Sequence, residues 1–213
     1  MISRLSEHLH RLSASIRSVD FLGPLALRLY LAPVFWVAGM NKATGFGDVV
    51  EWFGNPDWGL GLPAPVLMAF LATSAEVGGA LLLLLGLGTR LVTVPLMVTM
   101  IVAAVTVHWE HGWQAVHDSA SPFASRFTLG LESGDASAAG ERLDRARTIL
   151  QQHGHYDWLT EQGSFIVSNS GIEWPATYFV MLLALFCCGG GRYLSLDYWI
   201  TRRRGAPAGR ACL

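Results

Sequence analysis

The stretch PVLMAFLATSAEVGGALLLLLGLGTRLVTVPLMVTMIVAAVTVHW, residues 65–109, decides the fold class. Besides His108, its only ionisable side chains are Glu76 and Arg90. A helix needs roughly 20 mostly apolar residues to cross the ~30 Å hydrocarbon core of a bilayer. Pro65–Leu85 supplies one such run and Leu91 to about Val107 a second, joined by the short turn Gly86–Arg90. In hydrocarbon every backbone polar group must be satisfied within the segment, so runs of this kind are read as membrane helices.

Two further runs flank this pair, from about Phe21 to Met40 and from about Ile172 to Cys188, the latter near the lower length limit. The composition agrees: 52% of the 213 residues are hydrophobic and 15% charged, where soluble domains carry about 25% charged residues. The expectation is an all-α, integral membrane four-helix bundle, with helices at about 21–40, 65–85, 91–107 and 172–188 inside a domain spanning 21–198. A net charge of −1 leaves no basic face for phosphates, which argues against a nucleic-acid partner.

Positive charge sets the expected orientation. Arg4, Arg11 and Arg17 precede the first run, Arg90 lies in the short turn, and Arg192, Arg202, Arg203, Arg204 and Arg210 follow the last. Residues 41–64 set Lys42 against Asp48, Glu51 and Asp57, and residues 108–172 hold more acids than bases. Both termini are therefore expected on the cytoplasmic side, with the long loop between helices three and four extracytoplasmic. Trp52, Trp58, Trp109, Trp113, Trp158 and Trp174 fall on the assigned outer side and Trp199 at the inner boundary, as indoles favour membrane–water boundaries. Residues 1–20 read as an amphipathic cytoplasmic tail, with Leu5, Leu9, Leu12 and Ile16 at helical spacing. Residues 199–213 read as a basic cytoplasmic tail, with Arg202–Arg204 expected to be an orientation signal with some affinity for anionic lipid. The outer insertion, about 110–170, includes a helical pattern near Ala138–His153.

Arg28 and Glu76 are the sharpest chemical signal. A charge inside a spanning helix is costly and tends to be paired or to face a polar cavity. Counting 1.5 Å per residue from the helix ends puts the two within reach of one another. The expected Arg28–Glu76 pair either fixes helix packing or forms a polar, proton-handling site. Lys42 ends the first helix, as a snorkelling anchor or at the mouth of a pocket with Asp48 and Glu51. His108 and His111 share a helix face if the third helix continues, but their spacing matches no named metal motif, so no metal site is assigned. No CxxC, haem-type or dinucleotide motif is present, and no cofactor is evident.

In order along the chain stand Leu27-Arg28-Leu29, Gly39-Met40-Asn41-Lys42, Glu76-Val77-Gly78-Gly79, Leu85-Gly86-Leu87-Gly88-Thr89-Arg90, His108-Trp109 and Gly189-Gly190-Gly191-Arg192-Tyr193-Leu194-Ser195-Leu196-Asp197. This series resembles the DoxX family (DoxX/DoxD-like) of four-helix bacterial membrane proteins, over about residues 22–110 and 172–198. The resemblance implies a multi-pass protein of the bacterial inner membrane tied to redox or stress metabolism, since one relative is a subunit of a thiosulfate:quinone oxidoreductase. It carries over Arg28 and Glu76 as catalytic candidates and Lys42, His108 and Asp197 as pocket residues, with a quinone as the implied cofactor. A protein partner or a homo-oligomer is implied as well. Two other readings stand beside it: a non-catalytic membrane scaffold or small-molecule transporter, and a metal-related protein using the outer histidines.

Overall fold

The computed structural model describes residues 19–117 and 136–204. The amphipathic pattern of residues 1–18 and the end of the basic tail, 205–213, lie outside them. The described residues form eight α-helices, in order α1 Leu22–Thr44, α2 Phe46–Gly54, α3 Pro65–Leu85, α4 Thr89–Ala103, α5 Ala136–His153, α6 Tyr156–Leu159, α7 Glu173–Cys188 and α8 Leu196–Arg203. Among the described residues there is no strand, and Val116 and Ser168 make an isolated antiparallel bridge.

Among the described residues three segments are long and apolar enough to cross a membrane: α1, α3 and Thr89–His111. The last is α4 prolonged by a π-helical turn, Ala104–His108, and a 3-10 turn, Trp109–His111. The fourth expected crossing begins at Glu173 and has 16 residues, about 24 Å at 1.5 Å per residue. That is shorter than the hydrocarbon core, so α7 does not reach spanning length by itself. Segment 41–64 is partly helical, since α1 runs on to Thr44 and α2 occupies Phe46–Gly54.

Local chemistry explains the ends of α3. Pro65 opens it, where a missing N–H costs nothing. Gly86 closes it in the left-handed region, φ 65°, the conformation a helix C-terminus favours and glycine alone adopts freely.

The chain divides into two compact units, Met1–Thr99 with Tyr178–Leu213, and Met100–Thr177. The first unit has a narrow core of Leu31, Phe35, Ala80, Leu83, Leu96 and Leu182. Outside it, Leu71, Leu84, Leu91, Val94 and Val98 are exposed, Leu91 by 80%. Only 33% of the α1 window and 28% of the α3 window is buried. Apolar helices that leave most of their surface uncovered need lipid as their solvent, so this is a membrane protein. In the second unit, Glu173 Oε2 accepts from the Ala115 N–H at 3.0 Å. α5 covers Ala136–His153, close to the helix its leucine spacing predicts.

Candidate functional site

The expected Arg28–Glu76 pair does not form. Arg28 is 1% exposed and gives its hydrogens to backbone carbonyls. Nε donates to Leu83 O at 2.6 Å and Nη2 to Leu84 O at 2.8 Å. Nη1 donates to Gly190 O at 2.8 Å and Leu194 O at 3.0 Å. Arg28 therefore stands level with the last turn of α3, and Glu76 lies about two helical turns away, ~11 Å. Counting from helix ends misleads because α1 begins beyond the end of α3. The guanidinium instead meets carbonyls of the last turn, at the negative dipole end of α3, where a cation is stabilising.

Asp197 completes this knot at the opposite helix terminus. Its carboxylate accepts from Gly88 N at 2.7 Å and Thr89 N at 2.9 Å, capping the first turn of α4. Its own N–H donates to Gly86 O at 3.0 Å, and Ser195 Oγ donates to the same oxygen at 2.9 Å. A Cβ on Gly86 would lie 2.6 Å from the Arg28 guanidinium carbon, so the glycine is required by space as well as by φ. Asp197 is thus a helix cap, and Arg28 a clamp on three chain segments.

Glu76 finds Lys42 instead. Lys42 Nζ donates to Oε2 at 2.7 Å and to Oε1 at 3.0 Å, and the side chains are 26% and 5% exposed respectively. A helical side chain leans toward its own N-terminus, so Lys42 descends along α1 over the residue three positions earlier. That residue is Gly39, whose missing Cβ would meet Val77 Cγ2 at 2.7 Å and Val77 N at 2.9 Å. Gly39 therefore lets α1 and α3 approach closely at the level of Glu76, and Lys42 closes the gap. Its tie to Glu76 is a contact the sequence does not announce directly; the available signal is Gly39, three residues before Lys42.

A groove of about 470 Å³ opens beside this bridge, lined by Met40, Phe46, Phe70, Thr73, Ser74 and Val77 among others. A second groove of about 480 Å³ shares Phe46 and Phe70 and is lined by apolar side chains. Thr73 Oγ1 is buried without a hydrogen-bond partner. An apolar cleft with one orphan hydroxyl and a nearby ion pair has the make-up of a small-molecule site.

In the second unit, His108 Nδ1 meets Ser170 O. A carbonyl can only accept, so Nδ1 carries the hydrogen of this contact. Ser170 presents that oxygen from a left-handed backbone, φ 55°. His111 is exposed, and among the described residues no group of three or more His, Cys, Asp or Glu is placed to hold a metal ion.

The DoxX family model matches residues 23–109. Over 86 residues the chain is 35% identical to a protein of Bacillus subtilis (strain 168) named "Putative oxidoreductase CatD", covering 40% of this chain and 60% of that protein. Over 98 residues it is 32% identical to "Inner membrane protein YphA" of Escherichia coli (strain K12), covering 46% of this chain and 66% of that protein. The chain thus spans about two thirds or less of each relative's length. No solved structure matches it.

Proposed function

Residues 23–109 make this chain a member of the DoxX family, and from that premise we propose that it is the membrane subunit of a quinone-linked oxidoreductase of the bacterial inner membrane. The observation carrying the reading is the Lys42–Glu76 bridge beside an apolar groove that holds an unpartnered hydroxyl. A relative named as an oxidoreductase agrees with it. In this proposal the chain crosses four times, with α7 extended by its flanking residues, and both termini are cytoplasmic.

The groove residues fit a quinone headgroup. Phe46, Phe70 and Met40 supply apolar and aromatic surface for a flat ring. Thr73 Oγ1, which has no protein partner, donates to a ring carbonyl. A bound quinone supplies an acceptor for two electrons and two protons, with the electrons arriving from a partner subunit. Glu76 and Lys42, next in sequence to the groove residues Val77 and Ala43, hold and deliver protons to the bound ring. Lys42, about a quarter exposed, connects the buried carboxylate to the boundary water.

The test is quinone reduction in native membranes, comparing the unaltered chain with Glu76→Gln. The rate is expected to fall at least tenfold; an unchanged rate removes Glu76 from the mechanism. A second reading, a non-catalytic scaffold for a partner protein, is favoured by Arg28, whose donors are committed to backbone. Co-purification separates the two: a stoichiometric partner with no quinone bound supports the scaffold.

A further inference from the structure

The short helix α8 is fastened where the apolar helices end. α3 stops at Leu85 and α4 starts at Thr89, so the Gly86–Gly88 turn marks the edge of the hydrocarbon. Ser195 and Asp197, at the start of α8, bond to that turn. α8 therefore begins at the membrane boundary.

Its two faces differ. Ser195 is buried, and Asp197, Tyr198 and Thr201 are partly buried. Leu196, Trp199, Ile200 and Arg203 recur at positions 0, 3, 4 and 7, one stripe of a helix, and all are exposed. Leu194, just before the helix, is 60% exposed and Trp199 45%. The Trp199 indole donates to Tyr193 O at 2.7 Å, and the Arg202 guanidinium lies 5.5 Å from the Trp199 ring centroid. Arg202, Arg203 and Arg204 are all exposed. Among the described residues the side-chain ion pairs are Lys42–Glu76, Arg147–Asp144 and Arg192–Asp20, none of which uses them.

We propose that α8 is an interfacial helix whose three arginines bind the headgroups of anionic phospholipids. Two observations choose lipid over other anions. The arginines sit beside an exposed apolar stripe that needs acyl chains to cover it, and they follow a helix pinned at the hydrocarbon edge. An indole with a guanidinium over its ring suits headgroup depth, where an aromatic body and a polar tip are both satisfied.

The experiment uses the full chain purified with native lipid and then exchanged into phosphatidylglycerol or phosphatidylcholine nanodiscs. Bound lipid is counted by native mass spectrometry after detergent release. The native chain should retain phosphatidylglycerol preferentially, with the preference shrinking as salt rises. Each arginine contributes about fivefold at low salt, so R202Q/R203Q/R204Q should lose most of a roughly hundredfold preference while keeping the native melting temperature. Trp199→Ala should weaken retention of both lipids. Equal retention of the two lipids by the native chain, or an unchanged preference in the triple variant, overturns the proposal. Displacement of phosphatidylglycerol by glycerol 3-phosphate would mean a site for soluble phosphate, and would overturn it as well.

Discussion

The first unit holds two polar clusters on opposite stretches of the same helix pair, and they are satisfied in different ways. Around Arg28 a charged side chain is bound by carbonyls of the backbone, and Asp197 binds amides of the backbone. Around Glu76 one titratable side chain binds another, beside a groove. Backbone groups cannot change protonation state or move without unmaking helices, so the first cluster is fixed by construction. A side-chain pair can exchange protons and be rearranged by a ligand. Each cluster holds one basic and one acidic side chain; the difference between them lies in their partners.

The strongest way to break this comparison is Arg28→Met. It strips four hydrogen bonds from backbone carbonyls, two of them buried, and a loss of at least about 3 kcal/mol is expected, read as a lower melting temperature and poor recovery from membranes. A variant as stable as the native chain would show that the clamp is dispensable. Gly39→Ala comes next: its Cβ meets Val77 at 2.7 Å, and such overpacking costs about 1–3 kcal/mol. Because α1 and α3 must separate, quinone reduction should fall with stability.

Asp197→Ala removes the α4 cap and should cost about 1 kcal/mol, with activity per folded molecule unchanged. The double variant K42M/E76M sharpens the contrast most directly. Replacing a buried ion pair by apolar side chains is often near neutral, so the melting temperature should hold within the shift expected for about 1 kcal/mol while quinone reduction is lost. Retained activity would reduce the bridge to a packing device. Thr73→Val is the smallest change: stability should hold or rise slightly, because an orphan hydroxyl disappears. The apparent KM for a quinone should rise up to about tenfold, the worth of one hydrogen bond.

Much of this was legible in the residues. Pro65 and Gly86 announce the ends of α3 through backbone chemistry that depends on neighbours alone. Arg28, Lys42, Glu76 and Asp197 announce themselves as polar groups among apolar ones. Their pairing was not legible, because it depends on axial stagger between helices. That stagger shows at Gly39 against Val77, a contact between residues far apart in sequence. Nor could Arg28's acceptors be named, since any carbonyl near a helix end serves. The π-helical turn that ends in His108 leaves no signature, being a change of hydrogen-bond register within an ordinary apolar run. The bounds of α7 were legible, since Glu173–Cys188 lies within a residue of the apolar run from Ile172, as was its place near the lower length limit for a crossing.

The reach of the Arg28 clamp has a consequence for how the molecule is made. Its donors close on Leu83 and Leu84, then on Gly190 and Leu194, up to 166 positions later in the chain. A ribosome therefore delivers the arginine to the membrane long before two of its four acceptors exist. Until α7 and the segment after it are synthesised, the first helix carries an incompletely bonded cation, and a chain that stops short of Gly190 never completes the set. The same guanidinium that holds the finished protein together thus marks an unfinished one.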